Sequence, residues 1–210
     1  RPDTEALVDL ALPRLRALCD RHGGARVLDL GTGTGAVALA LIGEEPRATA
    51  TATDISADAL ATAGGNADIN ALVRDMRRTP FHVVTSNPPY TKRKSGRTCP
   101  ERSRFLARNE EALDLEGLVD AASSLLVKKG RFYVIYPARR AGELIHAAAS
   151  RRLALKRLRA VHPRKDESAN LVLADFTKDG GVGAVIERPL YVYDGDATSA
   201  EVNEYYTFGD

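Results

Sequence analysis

Residues 25–35 read Ala25-Arg26-Val27-Leu28-Asp29-Leu30-Gly31-Thr32-Gly33-Thr34-Gly35. The first six have the length and apolar content of a short buried strand. Three glycines at alternate positions then let the backbone pass close to a ligand before a helix over 36–42. Downstream, a strand of alternating Thr and Ala covers 47–53 and ends at Asp54, and Ser56 is a good N-cap for the next helix. The apolar, β-branched run 81–86 predicts another buried strand. A helix through 111–127, closed by Gly130, leads to a strand over 131–137. A helix near 140–150 precedes strands near 153–161 and 169–176, which read as an antiparallel pair. Upstream, Leu7, Leu10, Ala11, Leu15 and Leu18 recur at helical spacing, and Pro13 predicts a kink or two short helices there. Strands alternating with helices predict an α/β fold with a mostly parallel sheet covered on both faces.

With 210 residues the chain is long enough for one full α/β domain and marginal for two. No internal repeat or linker interrupts it, so one domain over 1–210 is the expectation. A hydrophobic content of 44% with 28% charged residues fits a soluble globular protein. The net charge of +2 means that any nucleic-acid footprint must come from local clustering. Cys19 and Cys99 make neither a disulfide framework nor, with the four histidines, a metal set, which fits a reducing cytoplasm. There is no membrane-length apolar run and no signal peptide. Arg1 stands where a methionine would, which leaves open a natural chain that extends upstream.

The glycine loop alone is ambiguous. Gly31, Gly33 and Ala36 also satisfy the loose dinucleotide pattern, so a nicotinamide or flavin cofactor and S-adenosylmethionine both suit it. Asp29 tips the balance, because a carboxylate just before the loop favours a cationic ammonium and repels a pyrophosphate. Asp54, at the end of its strand, can accept both ribose hydroxyls of either cofactor. Thr32, Gly35 and Ile55 complete the candidate cofactor set. Asp75 is a candidate for the adenine amino group, although 71–80 is short for a strand and loop, and Arg74, Arg77 and Arg78 beside it favour a solvated carboxylate.

Directly after the 81–86 run comes Asn87-Pro88-Pro89-Tyr90. The prolines stop the strand in a rigid turn at its carboxyl end, where open α/β sheets bind ligands. The Asn87 side chain and the Pro88 carbonyl become two fixed acceptors beside the Tyr90 ring. Such a set suits a planar group bearing an NH2, either adenine or a carboxamide.

Together the glycine loop, Asp54 and Asn87-Pro88-Pro89-Tyr90 resemble the class I S-adenosylmethionine-dependent amino-methyltransferases. That resemblance implies a Rossmann-like fold: a mostly parallel seven-stranded sheet with an antiparallel final strand and helices on both faces. Ser95-Gly96-Arg97, Ala107-Arg108-Asn109-Glu110, Val161-His162-Pro163-Arg164, Ala169-Asn170-Leu171-Val172-Leu173 and Pro189-Leu190-Tyr191-Val192-Tyr193 are similar to bacterial adenine-N6 methyltransferases of valine tRNA. Two departures stand out: His82 replaces the family's usual Asp, and the third-strand region is short. Arg1-Pro2-Asp3-Thr4-Glu5 instead resembles the protein-glutamine methyltransferases that act on translation release factors.

The resemblance implies that Asn87 Oδ1 and the Pro88 carbonyl accept the two N–H bonds of an adenine amino group, while Tyr90 stacks on the base. The implied partner is tRNA. Lys92, Arg93, Lys94, Arg97 and Arg108, in a segment leaving the catalytic turn, are the candidate phosphate contacts. A second basic stretch, from Arg151 to Lys165, is balanced between phosphate binding and a solvated face. Release-factor glutamine methylation is the alternative, and a non-catalytic nucleoside- or RNA-binding module is a more distant one. A dehydrogenase is further still, since nothing after Asp54 offers a group for hydride transfer.

Overall fold

The computed structural model describes residues 2–54, 80–88 and 115–206. Helix α1 (Pro2–His22) leads into β1 (Ala25–Leu30), α2 (Ala36–Glu44) and β2 (Ala48–Thr53). Then come β3 (Phe81–Ser86), α3 (Leu115–Leu125), β4 (Leu126–Pro137), a 3₁₀ turn (Ala138–Arg140) and α4 (Ala141–Ser150). Strands β5 (Leu153–His162) and β6 (Leu171–Lys178) follow. The chain closes with four two-residue strands, β7 (Val185–Ile186), β8 (Leu190–Tyr191), β9 (Tyr193–Asp194) and β10 (Ala197–Thr198), and helix α5 (Ala200–Tyr206).

The main sheet runs β2-β1-β3-β4-β6-β5-β7, with β8 also on β5. Pairs among β2, β1, β3 and β4 are parallel, and β6 is antiparallel to both of its neighbours. The last two long strands thus form the expected antiparallel pair, and β6 lies between β4 and β5. Among the described residues the sheet has eight strands, because the short β7 and β8 extend it beyond β5.

Side chains alternate across the sheet with the period of two that pleating imposes. On one face Val27, Val83, Tyr133, Ile135 and Leu173 meet α1, α2 and α5. On the other, Leu28, Val84, Phe132, Val134 and Phe176 meet α3 and α4. The β1–β3 register pairs Leu30 with Ser86, so the glycine loop and Asn87 leave neighbouring strands at the same level.

Two local expectations are corrected. Pro13 does not divide the first helix, which is continuous from Pro2 to His22. Its apolar stripe, with Leu7, Ala11 and Leu15 fully buried, continues across the proline, and that burial outweighs one lost backbone bond. The Arg157 guanidinium also donates to the Leu10 carbonyl at 2.9 Å, next to the Asp9 carbonyl that Pro13 leaves without its helical donor. Gly130 does not close the third helix. That helix ends at Leu125, with the Lys178 ammonium donating to the Ser123 carbonyl and to the Leu126 carbonyl, and Gly130 lies inside β4. A side chain at 130 would come within 2.8 Å of the Val127 carbonyl, so glycine serves a tight excursion where the β3–β4 register shifts.

Candidate active site

The glycine loop is held from beneath by the end of β2. The N–H groups of Gly31 and Thr32 both donate to the Thr53 carbonyl, at 2.8 and 2.9 Å. Gly33 N–H donates to Asp54 Oδ2 at 2.9 Å, and Gly35 N–H to the Thr32 carbonyl at 3.0 Å. Gly31, Gly33 and Gly35 have φ of 72°, 56° and 84°, left-handed values that a side chain disfavours. Among the described residues a Cβ at Gly31 or Gly33 would meet nothing within 4 Å.

Asp29 lies beneath this loop and is 1% exposed. Thr32 Oγ1 donates to its Oδ2 at 2.7 Å and Thr85 Oγ1 to its Oδ1 at 2.8 Å. The Ala38 N–H, in the first turn of α2, also bonds to it. Burial raises its pKa, while those three donors act the other way. Among the described residues no cation forms an ion pair with it. The negative charge therefore sits at the start of α2, where a dinucleotide would place its pyrophosphate. With the amides of Gly31, Thr32 and Gly33 already engaged, the arrangement disfavours a dinucleotide on two counts.

At the end of β3, Ser86 Oγ donates to the Leu30 carbonyl at 2.8 Å, which ties the turn to the root of the glycine loop. Asn87 Nδ2 donates to Thr4 Oγ1 of α1 at 3.2 Å. The structure brings together Asp29, Gly31, Thr32, Gly33, Gly35 and Asp54 around the loop, and sets Asn87 and Pro88 at the end of the adjacent strand. Pro89, Tyr90, Ile55, Asp75, Lys92, Arg93, Lys94, Arg97 and Arg108 lie outside the described residues. So do the helix expected after Ser56 and the segment around Cys99.

Three contacts escaped the sequence reading. Thr85 and the Thr53 carbonyl carry no motif. Thr4 was noted only as part of a resemblance, because a contact across 83 positions has no local signature.

Most of the second basic stretch has partners within the protein. Arg151 pairs with Asp120 and Glu116, Arg152 with Asp179, and Arg159 with Glu201. Arg157 pairs with Asp175 and Glu187, and Arg164 with Glu167. Lys156 donates to the Gly181 and Gly183 carbonyls. His162 lies against the Tyr191 ring, with Nδ1 2.8 Å from the Glu167 carbonyl. His82 faces the end of α1: its Nδ1 accepts the Arg26 N–H at 3.1 Å and its ring stacks on His22. Burial, then the charges of His22 and Arg26, lower its pKa. No cluster of metal-ligating side chains and no helix long and apolar enough to cross a membrane occurs among the described residues.

The family model described as "methyltransferase small domain" matches residues 8–140. The chain belongs to that family. The chain is 47% identical over 100 residues to a release factor glutamine methyltransferase of Agrobacterium fabrum, covering 43% of this chain and 35% of the relative. It is 31% identical over 173 residues to a tRNA1(Val) (adenine(37)-N6)-methyltransferase of Phocaeicola vulgatus, covering 77% of this chain and 73% of the relative. The chain spans about half the length, or less, of the first curated relatives it matches, 35% and 50%. A crystal structure from Agrobacterium tumefaciens, named on prediction an O-methyltransferase, superposes with a TM-score of 0.63 at 21% identity. It covers 87% of this chain and 88% of that one, and at this identity it speaks for the fold alone.

Proposed function

We propose that this methyltransferase uses S-adenosylmethionine to methylate the N6 amino group of an adenine in tRNA. The carrying observation is Asn87. Its amide nitrogen is held by Thr4, so its Oδ1 is the end available to a substrate N–H, beside a glycine loop whose amides serve the protein itself. The residues around that loop fit the methyl donor: the buried Asp29, which has no ion-pair partner among the described residues, suits a nearby cationic group, and the Asp54 carboxylate stands at the end of β2 beside the loop, bonded to the Gly33 N–H. Bound there, S-adenosylmethionine supplies an electrophilic methyl group.

The chain's own part is positioning. Asn87 Oδ1 and the Pro88 carbonyl each accept one N–H of the amino group, which turns the nitrogen lone pair outward. The geometry needs no strong base, because the proton can leave after transfer. Orientation of this kind supplies several kcal/mol, within a ceiling of roughly 7–11 kcal/mol for oriented reactants. A base in an RNA loop reaches such a turn at lower cost than a duplex base. Lys92, Arg93, Lys94, Arg97 and Arg108 are the proposed phosphate contacts, and Tyr90 the stacking ring. The acceptor assignment is favoured by the long match to the Phocaeicola vulgatus relative. A tRNA substrate would also place the enzyme in the cytoplasm.

A second reading has its own support. A glutamine carboxamide offers Asn87 the same two hydrogens, and Thr4 belongs to the stretch that resembles the release-factor enzymes. Radiolabelled methyl transfer to total tRNA and, in parallel, to purified release factor separates them. N6-methyladenosine in the digested tRNA is the expected product, and label found only in N5-methylglutamine would replace the acceptor.

A further inference from the structure

We infer that Thr4 is a positioning residue for Asn87, fixing the plane of the amide so that Oδ1 faces the acceptor group. This rests on the proposed amino-group chemistry and extends it to a residue outside the family match, which begins at residue 8. An asparagine side chain rotates about a broad, roughly two-fold torsion, so an unanchored amide presents its NH2 or its oxygen almost equally. An NH2 turned to the substrate would set donor against donor. Thr4 Oγ1 takes the Nδ2 end at 3.2 Å. Both residues are half-buried, which limits the competition from water.

Each partner has a local reason for its place. Thr4 stands in the first turn of the described helix α1, and its hydroxyl accepts the Asn87 amide. Asn87 follows Ser86, whose bond to the Leu30 carbonyl fixes the strand end. The turn is thus tied on one side to β1 and on the other to α1. Helix α1 itself cannot slide, because Leu7, Ala11 and Leu15 are fully buried against the sheet.

The test uses the full chain with S-adenosylmethionine and tRNA, comparing Thr4→Val, which keeps shape and removes the hydroxyl, with Thr4→Ser, which keeps the hydroxyl. Thr4→Val is expected to lower kcat about three- to tenfold, the scale of one lost hydrogen bond. The KM for the methyl donor and the melting temperature are expected to hold, and Thr4→Ser to restore kcat to within about twofold. A second readout needs no turnover: the ¹⁵N side-chain amide of Asn87 should exchange faster with solvent in Thr4→Val and not in Thr4→Ser. An unchanged kcat, or an Asn87 amide indifferent to Thr4→Val, overturns the inference. An amide that responds while wild type makes no N6-methyladenosine upholds the Thr4 contact and overturns the adenine acceptor.

Discussion

Two buried carboxylates occupy one row of the sheet, and they are treated in opposite ways. The register runs Asp29, Thr85, Tyr133, Asp175 across β1, β3, β4 and β6. Asp175 is fully buried and receives guanidinium bonds from Arg131 and Arg157. Asp29, two strands beyond Tyr133, receives hydroxyl and amide bonds and no guanidinium or ammonium among the described residues. Between them Tyr133 is fully buried, and burial followed by the charge of Asp175 pushes its phenol up to about 12. Cations cancel a charge and leave a rigid joint, whereas neutral donors hold a carboxylate in place and leave its field intact. One end of the row is a joint of ion pairs, and the other keeps the field that the proposed ligand would meet.

The largest expected effect lies at the joint. Asp175→Ala takes the counter-charge from Arg131 and leaves Arg157 with the more distant Glu187, and is expected to cost about 3–5 kcal/mol. Urea unfolding measures it; a loss below about 1 kcal/mol would mean that the pair is solvated and the contrast false.

Asp29→Ala comes next. It strands the hydroxyls of Thr32 and Thr85 and the Ala38 amide, with an expected cost of about 2–3 kcal/mol, moderated because hydroxyls can rotate toward other acceptors. Unlike the Asp175 variant, it is expected to weaken the methyl donor in calorimetry. Equal donor affinity in the two variants would erase the distinction between the ends of the row.

The smallest effect is a pH dependence. Burial raises the Asp29 pKa above its ordinary value of 3.8, so the folded state holds this proton more tightly than the unfolded chain does. Its titration thus favours folding most below the unfolded pKa, and that contribution is lost as pH rises through the folded pKa. Asp29→Asn removes the titration. Wild type is therefore expected to lose stability relative to Asp29→Asn as pH rises from about 3.5 through the folded pKa, with the difference flat beyond it. Denaturant melts across that range check the sign, and a gap of the reverse slope would show Asp29 to be stabilised as an anion.

The ligand end of this row was legible in the sequence and the joint was not. Asp29 announces itself because it abuts three glycines, and Asp54 because it ends a strand one helix later. Thr32 and Gly33, which bond them, lie in that same loop, whereas Thr85, 56 positions beyond Asp29, carries no such signal. Asp175 sits in an ordinary apolar strand, and its arginines come from β4 and β5, so only the sheet register unites them. The same holds for Thr4, whose contact depends on how a helix lies over a strand. The sequence placed Gly130 at a helix end because glycine there is common, whereas its actual role depends on a backbone excursion inside β4. Turn chemistry and hydrophobic period are local signals, and pairing across the sheet is not.

Helix α1 meets β3 at both ends: Thr4 touches Asn87 just past its last residue, and His22 stacks on His82, its second. That double clasp makes the helix a fixed-length template. One residue inserted between the two contacts would turn Thr4 by about 100° relative to His22. Both contacts could not survive that rotation, and the end that let go would decide between a loosened fold and a misaimed amide. Away from Thr4, substitutions along α1 are matters of packing, whereas its residue count bears on the proposed aim of Asn87.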